Sequence, residues 1–435
     1  MNDKETEPRI IVYKNKSILY DRHGNTSVFT EGKQSANAKK RYKKIKTALD
    51  NGFLDRVYDH VNAGIQINYD LLPEKYQNDL RMLTESVTSE KGRALTVLTI
   101  IQLTVKAIAP DQSIRLHKSS NNSNSFSWNE GISMRQLDSN YITPFLRKNN
   151  LLKLNKFGAF MTRSLAENYP YSQVYKAEIR GGKEYWTTIV DAIENQIIDA
   201  EEALKYILSI LKNQSTQFKE IANKAHELAV DAASKFDFAK IQVLVLTIVN
   251  ESDYKARIFE VAIHSFLQAL QFNKYLDGIL SPMTQMRSAN KKHGNVGDVE
   301  VYSGKVLIES WDAKYGKEYL RDELEELDDK LVNHPNMKIA GFITDKTPQV
   351  DKEIKVRKAE ITELVGIPIE IYSFNEWVEY ELEANNVLAK SLEKIGRDWL
   401  VFFVDSLGQK RRKIAPIDEP TEEWLKEIIN ILQSY

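Results

Sequence analysis

Apolar and polar positions follow different rhythms in different parts of the chain. Residues 9–29 alternate in short strand-like runs, with Asp21-Arg22-His23-Gly24-Asn25 as a turn between SILY and TSVF, and predict a small β-hairpin lid. The period then lengthens. A helix opens around Lys39, residues 76–109 are predicted helical up to Pro110, and the tract Ser119-Ser120-Asn121-Asn122-Ser123-Asn124-Ser125 breaks the pattern as a loop. Residues 184–250 repeat at helical spacing, with Ile197, Ile198, Ala200, Leu204, Ile207, Leu208 and Leu211 in one broad apolar set that reads as scaffold.

Between these helical stretches lies a different order. Residues 132–137 predict a short helix, residues 143–151 a second one with Thr143 as N-cap and Pro144 in the first turn, and residues 152–162 a hairpin turning near 156–158. Helix, helix, hairpin is the winged-helix order. A second helix placed in a major groove would offer Arg147, Lys148, Asn149 and Asn150 to base edges or phosphates, with Lys153, Lys156 and Arg163 as wing contacts. A structural helix–hairpin within a helical domain is the alternative.

The C-terminal third alternates between both periods. A helix is predicted over 253–271, paired strands over 297–302 and 306–314 around a turn at Ser303-Gly304, and further strands over 337–344 and 368–372. A helix follows from Asn375. Beyond residue 380 the pattern predicts a helix, a strand at 399–405 (WLVFFVD), a basic turn at 409–413, and a terminal helix capped by Thr421 ahead of Glu422 and Glu423.

Composition narrows the partners. At 435 residues the chain is long enough for about three domains. With 60 Lys+Arg against 61 Asp+Glu the net charge is −1, so contact with nucleic acid must come from local basic patches. One such patch is the run of six basic residues from Lys39 to Lys46, in which Lys40 and Arg41 are candidate phosphate contacts and a solvated helix face is the alternative. The absence of cysteine excludes disulfides, thiolate zinc sites and cysteine nucleophiles. No apolar stretch is long enough to span a bilayer, and MNDKETEPR does not read as a signal peptide, so no membrane partner and a cytoplasmic location are expected.

Candidate chemistry concentrates in GDVEVYSGKVLIESWDAKYGK, residues 297–317. Side chains two apart on a strand share a face, so Asp312 and Lys314 point the same way, with Asp298 entering from the adjacent strand. Glu300 is in phase with Asp298 and is a second candidate carboxylate, whereas Glu309 is out of phase with Lys314 and should face the other side. Two carboxylates suit Mg²⁺, which takes oxygen ligands and is usually held by one or two carboxylates plus substrate phosphate. A neighbouring ammonium relieves charge on phosphoryl oxygens during phosphodiester hydrolysis. Upstream, Glu260 interrupts an apolar stripe of Ala256, Ile263 and Leu267.

This arrangement resembles the PD-(D/E)xK nuclease superfamily, which includes most type II restriction endonucleases. The resemblance covers the order helix, hairpin, strand, strand, helix and the residues Asp298, Asp312 and Lys314. It implies Mg²⁺ as cofactor, Asp298 and Asp312 as metal ligands, Lys314 as the catalytic ammonium, and Glu260, on the first core helix, as a further ligand. The basic residues of the segment 273–296, among them Arg287, Lys291, Lys292 and His293, would lie near that centre by connectivity.

Motifs of other chemistries are absent: no GxxxxGK[ST], HExxH, GxGxxG or GxSxG occurs. The expected architecture is an α+β multi-domain chain. It comprises a hairpin plus helical region at 1–117, a winged-helix-like DNA-recognition element at 118–190, a helical scaffold at 191–250, and a nuclease domain with a mixed sheet flanked by helices at 251–435. The expected function is a Mg²⁺-dependent, sequence-specific endonuclease acting on double-stranded DNA as a homodimer, with a companion DNA methyltransferase as a further partner. The alternatives are a modification-dependent or structure-dependent nuclease with the same core, and a non-catalytic DNA-binding regulator.

Overall fold

The computed structural model describes residues 7–87, 92–117, 128–154, 158–159, 165, 169–283, 295–408 and 419–435. The chain is α+β and forms two compact units, Met1–Gln217 and Phe218–Tyr435, with the division inside one long helix, Ala200–Lys235. Among the described residues no helix is long and apolar enough to cross a membrane.

In the first unit the alternating N-terminal segment forms an antiparallel three-stranded sheet, β1 (Arg9–Val12), β2 (Lys16–Tyr20) and β3 (Thr26–Thr30). It does not stand free as a lid. Leu19 and Phe29 are buried against Leu116 and Trp128, with the Phe29 and Trp128 rings 6.3 Å apart edge to face. The helices α1 (Ala36–Asp50), α2 (Phe53–Asn62), α3 (Glu74–Glu85) and α4 (Arg93–Ile108) follow. The single helix expected at 76–109 is therefore two. The apolar stretch of α4 is a buried central helix, and its Gln102 is satisfied there, donating to Ile114 O at 2.9 Å and accepting from Trp186 Nε1 at 2.8 Å.

The two helices expected at 132–137 and 143–151 are not separated by a turn. Met134–Leu137 (α5) runs through a π-helical turn, Asp138–Ile142, directly into Thr143–Lys148 (α6). Thr143 is no N-cap: the residue before it is already helical, and its buried hydroxyl donates to Asp138 Oδ1 at 2.6 Å. The extra residue of a π turn rotates the chain without ending the helix, which the Thr-Pro signal does not reveal. Residues 155–157 and 160–162 of the expected hairpin, and with them Lys156, lie outside the described residues, as does Arg163. Helix α7 (Lys183–Glu194) and the first part of α8 (Ala200–Lys235) complete the unit.

The second unit is layered. Its five-stranded mixed sheet has the order β4 (Ile279–Leu280), β5 (Val299–Ser303), β6 (Val306–Lys314), β7 (Ile339–Thr344), β8 (Ile369–Ser373), antiparallel from β4 to β6 and parallel from β6 to β8. The β5–β6 register shifts between Val301 and Tyr302. One face carries Val299, Val301, Trp311 and Ile343 against α10 (Lys255–Phe272), α13 (Phe374–Ala384), α14 (Leu392–Leu407) and α15 (Thr421–Ser434). The other carries Leu307, Ala340, Phe342 and Ile369 against α11 (Arg321–Leu331) and α12 (Lys352–Val365), while α9 (Phe238–Glu251) packs on α10 and α14.

Residues 399–405, expected as a strand, lie within α14. Trp399, Leu400, Phe403, Val404 and Leu407 are its buried residues, a spacing that makes one helical stripe, and a short apolar run cannot be told from a strand by periodicity alone. Thr421 is the first residue of α15 and not its cap, which is Pro420. The basic turn at 409–413 lies outside the described residues.

Candidate active site

The hairpin sets the acids face to face. Val299 pairs with Trp311 in the antiparallel ladder, so the preceding residue, Asp298, arrives opposite Asp312. Gly297 makes this approach possible: a Cβ there would meet Trp311 O and Ser310 Oγ at 2.7 Å. Asp298 Oδ2 accepts from Ala313 N at 3.1 Å, which fixes the carboxyl across the strand. Like charges directly opposite one another are unfavourable on a sheet. Burial, then the neighbouring Glu260 and Asp312 carboxylates and a hydrogen bond shared with Asp312, raise the Asp298 pKa well above the usual carboxylate range.

Lys314 stands two residues after Asp312 on the same face, with Nζ 2.9 Å from Asp312 Oδ2 and 5.9 Å above the Phe342 ring. Burial works against its charge, but Asp312, then Asp298 and Glu323, outweigh it and hold its pKa above the ordinary lysine value. It keeps 22 % of its side chain in solvent, against 9 % for Asp312, so an incoming anion meets the ammonium first.

Glu260 comes from α10, which is buried nearly all round from Arg257 to Leu270; Ala256, expected on the same apolar stripe, is exposed. One turn before Glu260, Arg257 pairs with it through Nη1 and, through Nε, with Glu419 Oε1 at 2.9 Å. Burial raises the Glu260 pKa; Arg257 opposes this, and Glu419 and Asp312 add to it. The influence of Asp312 on Glu260 and of Glu260 on Asp298 shows that the helix and hairpin carboxyls occupy one electrostatic neighbourhood. Sequence reasoning missed Arg257 and Glu419 as parts of it. Arg257 carried a signal in its three-residue spacing from Glu260, whereas Glu419 lies 162 residues from Arg257 and carried none.

Glu300 is not part of the group. It is buried, and accepts from Val296 N at 2.7 Å and from the Tyr302 hydroxyl at 2.9 Å. Glu309 faces the other side of the sheet as its phase requires: it accepts from Trp311 Nε1 and neighbours Glu381 of α13, whose pKa burial and Glu309 push far up.

The donor set is chemically suited to Mg²⁺. Glu260, Asp298, Asp312 and Glu419 face two cations, Arg257 and Lys314. With every group ionised this leaves an excess of two negative charges, which a divalent cation would balance. Among the described residues no three acidic or histidine side chains already stand as a ligand set. Lys314 holds Asp312 and Arg257 holds Glu260, so a metal ion would compete with both pairs.

The expected DNA contacts are placed differently. The Arg147 guanidinium donates to Leu154 O; Lys148 pairs with Asp55 at 3.2 Å in solvent; Asn149 donates to Phe145 O at 3.0 Å; Asn150 has φ 53° and accepts from the Ser215 hydroxyl at 2.7 Å; Lys153 is half-buried. Lys40 is exposed, whereas Arg41 turns inward to Gln112 Oε1, at 2.8 Å, and to Glu130. Arg287, Lys291, Lys292 and His293 lie outside the described residues. A comparison with known protein families and with curated proteins finds no family model that matches this chain and no curated protein similar to it.

Proposed function

We propose that the second unit is the catalytic unit of a Mg²⁺-dependent endonuclease acting on double-stranded DNA, with Asp298, Asp312 and Glu260 as metal ligands and Lys314 as the catalytic ammonium. The observation that supports this most is the convergence of the half-buried Asp298 with the buried Asp312 across the β5–β6 ladder, beside a partly exposed Lys314. Perturbed carboxyls with a specific charge partner mark functional sites more often than structural ones. Mg²⁺ bound here would supply a nucleophilic hydroxide and charge neutralisation. The chain's own residues do the rest. Lys314 meets the phosphoryl oxygens and stabilises the charge that builds on them; the Ala313 N–H holds the Asp298 carboxyl across the strand; Arg257 keeps Glu260 oriented.

A single centre cuts one strand per engagement, so a homodimer on a two-fold target is the simplest route to a double-strand break. Purified protein incubated with unmethylated and methylated plasmid, with and without Mg²⁺, tests the reading. Mg²⁺-dependent cleavage of unmethylated plasmid fits a restriction enzyme with a companion methyltransferase. Cleavage of methylated plasmid alone fits a modification-dependent nuclease. Binding without cleavage of either overturns catalysis in favour of a DNA-binding regulator.

A further inference from the structure

We infer that the exposed face of α1 is a docking surface for the sugar–phosphate backbone of duplex DNA, made by Lys39, Lys40, Lys43, Lys44 and Lys46 and independent of base sequence. The helix divides its basic residues by role. Arg41 points inward to Gln112 and Glu130, while all five lysines are exposed. At 3.6 residues per turn the five occupy an arc of roughly 160°, opposite the buried Ala38, Ile45 and Leu49. Among the described residues none of the five lysine side chains forms an ion pair or hydrogen bond.

The fold gains nothing from this arrangement. Lys39–Lys43 and Lys40–Lys44 are like-charge pairs one turn apart, each costing a helix about 0.2–0.5 kcal/mol, and cations in the first turns oppose the helix dipole. No acidic residue lies in the first turn of α1 to offset them. A polyanion reverses the sign of these terms.

The partner's class follows from what surrounds the lysines. The opposite face of α1 is locked in the core, so the helix has no apolar face to insert into a membrane. Its one aromatic, Tyr42, is half-buried with its hydroxyl donating to Gln136 Oε1 at 3.0 Å, so no ring is presented for stacking single-stranded bases. Lysine is a point charge without the planar fork that reads base edges, which suits phosphate contact. From Lys39 to Lys46 the helix rises about 10 Å, a length of B-DNA that carries roughly six phosphates.

The inference takes its partner from the nuclease reading but not its chemistry. The test uses the full chain in EDTA, a fluorescent 20-base-pair duplex of arbitrary sequence, and a salt titration of affinity. Lys39→Gln, Lys40→Gln, Lys43→Gln and Lys44→Gln combined should weaken binding about tenfold or more near 0.1 M salt and lower the slope of log affinity against log salt by roughly three to four. Its unfolding midpoint should equal or exceed the parent's. An unchanged slope overturns the inference, as does a loss confined to single-stranded oligonucleotide or to phosphatidylserine vesicles. A protein that never cleaves yet shows the slope change would overturn the nuclease reading and leave this surface standing.

Discussion

The two units treat buried charge in opposite ways. In the first, two buried pairs of opposite sign stand out: Arg115 and Asp191, both 3 % exposed, meet at 2.6 Å, and Lys106 meets Glu194 at 3.4 Å. In the second, carboxyls outnumber cations around Asp312, and Glu381 stands against Glu309 with its pKa raised by burial and that neighbour. Balanced pairs hold helices in place. An unbalanced acidic cluster is a standing cost to the fold, which is the property the proposed catalytic role of the second unit would account for.

The largest effect expected from this contrast is in the first unit. Asp191→Asn leaves Arg115 buried without its counter-charge and should cost about 3–5 kcal/mol of stability in chemical denaturation; a loss under about 1 kcal/mol would show that the pairing in this unit is incidental. In the second unit the same kind of change should spare the fold and abolish function. Asp312→Ala and Lys314→Ala should lose plasmid cleavage on the order of 10²-fold or more with the unfolding midpoint kept. Asp298→Asn removes a charge that burial and the neighbouring carboxylates disfavour, and should fold as well as the parent while losing Mg²⁺-dependent cleavage. Near-parental cutting by any of the three would move the site elsewhere.

Smaller and opposite in sign are the pH effects. Glu381 has its folded pKa raised above 4.5 by burial and Glu309, so its contribution is complete below about 4.5 and is lost as pH rises through the folded value. Glu381→Gln should therefore raise the melting midpoint at pH 8, by roughly 2–4 °C, and change it least near pH 4.5. His117 in the first unit is lowered from 6.5 to about 4, by burial and then Arg135, so its contribution is complete above 6.5 and is lost as pH falls through about 4. Parallel pH trends in Glu381→Gln and in a His117→Gln protein would erase the distinction between the units. Least of all should Lys148→Ala matter: its pair with Asp55 is 71 % and 57 % exposed, and a change beyond about 1 kcal/mol in a denaturation titration would contradict its surface character.

How much of this was legible in the sequence depended on whether the signal was local. The β5–β6 hairpin, β7, β8, α10 and α13 are set by period and turn chemistry within a few residues, and Ser373 caps α13 with Glu376 in a capping box. Helices α11 and α12 escaped notice because charge dominates RDELEELDDKL and KEIKVRKAEITELV, although Leu324, Leu327 and Leu331 keep a buried stripe. The strand expected at 399–405 failed because seven residues do not distinguish the two periods. The surroundings of Arg41 and Arg147 are set by partners at Glu130 and Leu154 that no spacing announces.

The slip between Val301 and Tyr302 has a consequence for where the two acids can meet at all. Counted from the turn, where Ser303 faces Val306 and Tyr302 faces Leu307, an unbroken ladder would bring Asp298 opposite Trp311, whose side chain points into the α10 layer. The extra residue in β6, Ile308, advances the ladder by one, and Asp298 meets Asp312 instead. One unpaired isoleucine, ten residues after Asp298 and four before Asp312, thus acts as the phase selector that decides which residue of β6 Asp298 meets. A chain one residue shorter at this point would keep every acidic residue and both strands, and would have no site.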